Sequence, residues 1–164
     1  MDRSATQTTV QPSGRPRRSP QGLAVGVALT CRWLFTGAVV LQTLMVVVQP
    51  FLAGGSLDGH AAALRAHAII GGLLVPASMA LVILGVLWWR PGRGTVWGPS
   101  LALLLVVMVI AQVALGHLHL LSVHVPLGAV ILLVTCLLCV IALRGVSGRR
   151  AARTRSGVQA EGVR

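Results

Sequence analysis

Long apolar stretches free of charge divide the chain into four segments. Four windows contain no Asp, Glu, Lys or Arg, and they cover residues 33–57, 66–89, 95–122 and 123–143. A helix needs about 20 consecutive apolar residues to span a bilayer. Lipid offers the backbone no hydrogen-bond partners, and the windows are too long and too evenly apolar for barrel strands. The expected fold class is therefore all-α: a polytopic membrane protein with a four-transmembrane-helix bundle.

The composition agrees with lipid as the main solvent. Of the 164 residues, 55% are hydrophobic and only 10% are charged, which is outside the range of soluble domains. The two ends differ from the middle, because residues 1–22 and 145–164 are polar and rich in Arg. These ends are predicted to be disordered basic tails on either side of a transmembrane domain at 23–144.

The positions of the Arg residues predict the orientation in the membrane. Most of them lie in residues 3–32, 90–93 and 144–164, which four crossings place on one side, and Arg65 alone lies in an opposite loop. The positive-inside rule then makes both termini cytoplasmic, in a multi-pass protein of the plasma membrane. The tails could attract anionic lipid headgroups, and nucleic-acid binding is not expected in spite of the net charge of +11.

The four Trp residues support the same orientation. Trp33, Trp88, Trp89 and Trp97 all fall at the predicted cytoplasmic boundary of the helices. An indole there keeps its ring in the interface and its N–H in contact with water. All four are therefore expected to be interface anchors.

The two halves of the hydrophobic region resemble copies of one hairpin. Gln49 is followed by a loop and by His67-Ala-Ile-Ile-Gly71, and Gln112 is followed by a shorter loop and by His124-Val-Pro-Leu-Gly128. The shared pattern is Gln-x-x-Leu, a turn, then His-x-x-x-Gly. It predicts two repeated helical hairpins related by an axis along the membrane normal.

The histidines are all on one side of the predicted topology. His60, His67, His117, His119 and His124 map to outer loops or to the outermost helical turn. His67 and His124 are each expected to start a helix, and Gly71 and Gly128 follow one turn later on the same face. Each imidazole would then border a surface free of side chains, where a planar ligand could fit. Axial ligation of a haem by His from two facing helices has this geometry.

The same residues also have simpler interpretations. Gly71 and Gly128 could serve only the close packing of membrane helices, and an interfacial His can bond to water or headgroups. Hydrogen bonding between helices is the favoured interpretation of Gln49 and Gln112, ahead of a polar site.

Few residues are available for catalysis. Asp58 is the only acidic residue outside the tails, and the core has no Glu, Lys or Tyr. General acid–base or nucleophilic catalysis needs such groups. Cys136 and Cys139 have the spacing of a redox pair, but they lie in an apolar helix and are interpreted as packing residues. The chain is not expected to be an enzyme.

A resemblance to known families covers Gln49 to Leu143. Phe-Leu-Ala-Gly ends helix one, His opens helix two, and an Arg-Gly turn precedes helix three. Gln lies late in helix three, and His-Val-Pro-Leu-Gly opens helix four. This order resembles a family of small uncharacterised actinobacterial four-helix membrane proteins. More distantly, it is similar to one half of haem A synthase and to bis-histidine b-type cytochromes of membranes.

The resemblance implies at most a haem site at His67 and His124, with His117 as a substitute ligand. Haem A synthase has two such units and an outer-loop carboxylate beside its histidines. This chain has one unit and only Asp58. Haem A synthase activity is therefore not expected of this chain.

Three functional hypotheses follow. The favoured one is a membrane protein without a cofactor that acts through lipids or through a membrane protein partner or oligomer. The second is a haem b-binding, quinone-linked electron carrier with His67 and His124 as axial ligands. The third is an outward-facing Zn or Cu site at the same two histidines, although no carboxylate or thiol completes the ligand set.

Overall fold

The computed structural model describes the backbone of residues 20–90 and 94–161, and the side chains of residues 21–90 and 94–144. Its four helices are α1 (Pro20–Leu57), α2 (Ala61–Trp89), α3 (Trp97–His117) and α4 (Leu121–Glu161). Each contains an apolar segment that is long enough to cross a membrane. The prediction of an all-α, multi-pass membrane protein is confirmed.

The helix boundaries differ from those of the charge-free windows. The α1 helix begins at Pro20, well before residue 33, and α2 begins at Ala61 and continues through Arg65. The windows end wherever a charged residue occurs, whereas the helices end where the backbone turns. The α4 helix continues to Glu161, through residues for which the sequence predicts a disordered tail; many of them are Arg and Ala, which favour helix. Most of the other predicted tail, 1–22, lies outside the described residues.

Each helix packs against two neighbours. The contacting pairs are α1 with α2, α2 with α3, α3 with α4, and α4 with α1, so that α2 lies diagonally opposite α4. Connections of three residues link α1 to α2 and α3 to α4, and all five His residues lie at or near this end. We call it the histidine end. The opposite end, with Arg32, Arg90 and Arg144, is the arginine end.

The buried positions of the two hairpins correspond. Those of α1 recur 63 residues later in α3, as Phe35 and Gly98, Val39 and Ala102, Gln42 and Leu105, and Val46 and Val109. Those of α2 recur 57 residues later in α4, as Leu74 and Ile131, Ser78 and Thr135, Leu81 and Leu138, and Gly85 and Ala142. The two hairpins therefore pack in the same way, as the predicted repeat requires.

The two hairpin turns are also alike. Gly59 and His119 occupy the middle of their three-residue connections, and both have a positive φ, of 88° and 57°. The amide of the next residue bonds to a carbonyl five residues back, from His60 N to Gly55 O at 3.1 Å and from Leu120 N to Leu115 O at 3.0 Å. This is a common end for a helix, normally with Gly at the positive φ.

The expected difference in loop length is wrong, because the extra residues lie in the helices. Gln49 precedes Gly59 by ten residues, whereas Gln112 precedes His119 by seven. The first hairpin thus extends about one helical turn further. For the same reason His67 is the seventh residue of α2, and only His124 lies in the first turn of its helix.

Trp88 is a core residue and not an interface anchor. Its indole is 4% exposed and stacks on Phe35 with ring centroids 4.8 Å apart, whereas Trp33 and Trp97 are 60% and 62% exposed. Gly98 makes room for it, since a Cβ there would come within 2.7 Å of the indole. The position of Trp88 at the end of its helix did not indicate this packing.

Candidate functional site

Two histidines face each other across the diagonal of the bundle. The ring centroids of His67 and His124 are 6.2 Å apart, and the ring planes are tilted by 57°. Their helices, α2 and α4, make no backbone contact with each other. The two side chains therefore close the gap between the helices at the histidine end.

A neighbouring helix holds each ring by a hydrogen bond. His67 Nδ1 lies 3.2 Å from the backbone carbonyl of Gln49, and His124 Nδ1 lies 3.0 Å from that of Gln112. A carbonyl can only accept, so Nδ1 carries the proton in both rings. In the neutral imidazole Nε2 then has a lone pair available. Metal-ligating histidines are commonly oriented by such a bond from the other ring nitrogen.

The two hydrogen bonds are equivalent in the repeat. Each connects the second helix of a hairpin to the first helix of the same hairpin, at the same Gln of the repeated pattern. The motif Gln-x-x-Leu thus contributes its backbone carbonyl, a role that side-chain chemistry does not reveal. The sequence identified the two histidines and the two glutamines, but not this connection between them.

Gly116 provides the space for one of the rings. A Cβ at this position would lie 3.1 Å from Cε1 of His124, which is tighter than an ordinary contact. No role for Gly116 was predicted from the sequence. Its position one turn after Gln112 on α3, towards the histidine end, was the available signal.

The surfaces at Gly71 and Gly128, expected to be free of side chains, are covered by the two glutamines. Gln112 Nε2 would lie 3.0 Å from a Cβ on Gly128, and Gln49 Oε1 would lie 3.9 Å from one on Gly71. Gln112 Nε2 also donates to the backbone carbonyl of His124 at 2.9 Å, so its predicted hydrogen bond between helices is confirmed.

Each glutamine also has one buried polar atom without a hydrogen bond to any described residue. These atoms are Nε2 of Gln49, a donor, and Oε1 of Gln112, an acceptor. An unsatisfied buried polar group costs about 1–3 kcal/mol. The site therefore has unused hydrogen-bonding capacity on both sides of the histidine pair.

The remaining histidines do not join the pair. His117 is exposed and bonds through Nδ1 to Val113 O of its own helix at 2.8 Å. His60 and His119 are exposed in the two turns. In the described part of the chain, no three His, Cys, Asp or Glu residues form a group that could hold a metal ion. A tetrahedral Zn site is therefore not assembled among these residues.

The separation of the rings fits two ligands on opposite sides of one metal. With metal–nitrogen bonds of about 2.0 Å, trans imidazoles have centroids roughly 6 Å apart, while a tetrahedral angle brings them to roughly 5 Å. The observed centroid separation of 6.2 Å is closer to the trans value.

These observations rest on the geometry of this chain alone. No family model, curated protein or solved structure matches it.

Proposed function

We propose that the protein is a membrane haem protein, in which His67 and His124 bind one haem b as axial ligands and the haem carries electrons. The observation that supports this most directly is the facing pair of imidazoles, 6.2 Å apart, with both Nδ1 atoms bound to backbone carbonyls. Both Nε2 atoms can then act as ligands.

This proposal accounts for the pair better than the hypothesis of a protein without a cofactor. Apolar side chains would pack α2 against its neighbours without burying polar ring atoms. Each His bonds within its own hairpin, so the pair does not serve to connect the hairpins by a hydrogen bond. A ligand bound by both rings explains why the two histidines face each other.

Binding requires the two glutamine side chains to move. Their carboxamides lie against Gly71 and Gly128, so a macrocycle placed between the rings has to displace them. Once displaced, Gln49 Nε2 and Gln112 Oε1 would no longer be buried without hydrogen-bond partners. Gly71 and Gly128 would then leave room for the bound group, and Gln49 Nε2 would be free to donate a hydrogen bond to one of its acceptors.

His67 and His124 would hold the haem, and the bound haem would supply the one-electron chemistry. We place the protein in the plasma membrane with both termini in the cytoplasm, on the basis of the Arg distribution. The histidine pair then lies near the outer surface. A membrane quinone is the proposed electron partner, since it is soluble in the lipid that surrounds the helices.

The test is the reduced-minus-oxidised absorbance spectrum of full-length protein purified from haem-replete cells. We expect b-type bands that correspond to about one haem per chain. These bands should be absent in both His67→Ala and His124→Ala. His60→Ala and His117→Ala are matched controls, because both residues are exposed at the same end. Iron, copper and zinc are counted in the same samples. A colourless native protein, or copper or zinc in place of iron, would contradict the proposal.

A further inference from the structure

The two hairpins fill two corresponding buried positions differently. Gln42 on α1 is 1% exposed, and its counterpart on α3 is the fully buried Leu105. Thr36 on α1 is 5% exposed, and its counterpart is the buried Pro99. Since α3 fills the equivalent places with apolar residues, the packing of the bundle does not require polar groups there.

The Gln42 side chain is only partly satisfied. Its Nε2 donates to Ser78 Oγ at 2.7 Å, but its Oε1 is buried without a hydrogen-bond partner among the described residues. A buried acceptor in this state lowers stability, because it has lost its hydrogen bonds to water and gained none in the protein. The equivalent residue Leu105 has no polar group to leave unsatisfied. The unpartnered oxygen of Gln42 therefore indicates a ligand at this position.

Thr36 departs from the pattern of the other helical hydroxyl groups. Five of these donate to the carbonyl four residues back, which is the usual bond for Ser and Thr in a helix. They are Thr30, Thr43, Ser78, Ser100 and Thr135. Thr36 Oγ1 is buried and bonds to no described residue. Its hydroxyl is therefore available to a group inside the bundle.

The unpartnered atoms at both positions, Gln42 Oε1 and Thr36 Oγ1, are uncharged hydrogen-bonding groups. Near Gln42 the available atoms are acceptors, because Ser78 already donates its hydroxyl hydrogen to Leu74 O at 2.7 Å. Water both donates and accepts, and buried waters typically make about three hydrogen bonds to such groups. We infer that the inner face of α1 binds two internal water molecules, one at Gln42 Oε1 and one at Thr36 Oγ1.

Both proposed water sites lie on α1. They are six residues apart, about 9 Å along the helix axis, and both lie between the arginine end and Gln49. The corresponding positions of α3, Pro99 and Leu105, offer no side-chain hydrogen bond. At these two levels of the bundle water therefore binds to α1 and not to α3, whether or not a haem binds at the histidine end.

The test is a high-resolution crystal structure of the full chain that resolves ordered waters. We expect solvent density at hydrogen-bond distance from Gln42 Oε1 and Thr36 Oγ1. Gln42→Leu should lose the first and keep the second, and Thr36→Val should do the reverse. Thr43→Val is the control, since Thr43 bonds to its own helix, and it should keep both.

The repeat indicates that these variants fold, because α3 has apolar residues at the same positions. A map that shows waters elsewhere but none at these two atoms would overturn the inference. Density that anomalous scattering identifies as a metal ion would also overturn it.

Discussion

The ring centroids of His67 and His124 lie 6.2 Å apart although the backbones of α2 and α4, the helices that carry them, make no contact. Each ring is held by the first helix of its own hairpin, at Gln49 and Gln112. The pair therefore exists only when both hairpins are docked. A ligand bound by both rings would connect the two halves of the protein.

His119→Gly should stabilise the protein. His119 has a φ of 57°, in the left-handed region, where a side chain is strained and glycine is not. We expect a gain of about 1 kcal/mol in the free energy of unfolding, measured by thermal unfolding in detergent. Gly59→Ala, at the equivalent position of the other turn, should lose a similar amount. If His119→Gly were less stable than the native protein, the imidazole would have to make a contact that outweighs the backbone strain, and the prediction would be wrong.

Gly98→Ala should destabilise the arginine end. The added methyl would lie 2.7 Å from the buried Trp88 indole, and overpacking of this kind costs about 1–3 kcal/mol. Gly72→Ala is the matched control in the same bundle, because nothing lies within 4 Å of a Cβ there. Comparison of the two melting temperatures checks the prediction, and equal values would contradict the stacking of Trp88 on Phe35.

Gly116→Val should weaken the proposed haem site without unfolding the bundle. Its side chain would press on the His124 ring, where a Cβ alone already comes to 3.1 Å. Loss of the orienting bond to a ligating histidine typically costs 10–100-fold in affinity, so we expect roughly that loss in a haem titration. Ala53→Gly, 63 residues earlier in α1, should bind as the native chain does. Unchanged affinity in Gly116→Val would exclude a role for the His124 orientation.

The orientation in the membrane can be tested by labelling in intact cells. With the three native Cys residues replaced, Asp58→Cys should react with a membrane-impermeant thiol reagent and Thr95→Cys should not. The Arg distribution predicts that the first lies outside and the second inside. The opposite pattern of labelling would invert the proposed topology, and the proposed haem site would then face the cytoplasm.

The sequence was sufficient for the helices and the repeat, because long apolar segments in lipid have few alternatives to a helix. The matched His67 and His124 segments also indicated a common site. Two features depended on tertiary packing and could not be predicted from the sequence: the carboxamides over Gly71 and Gly128, and the burial of Trp88. Helix starts were misplaced where a single Arg65 interrupted an otherwise continuous helix.

The most direct test of the central claim, that His67 and His124 bind one haem together, is the spin state of the oxidised iron by electron paramagnetic resonance. Two axial imidazoles make the iron six-coordinate and low-spin, and loss of either leaves it five-coordinate and high-spin. We predict a low-spin signal for the native protein and a high-spin signal for any haem retained by His67→Ala or His124→Ala. A high-spin native protein, or a low-spin signal that persists in either variant, would contradict the account.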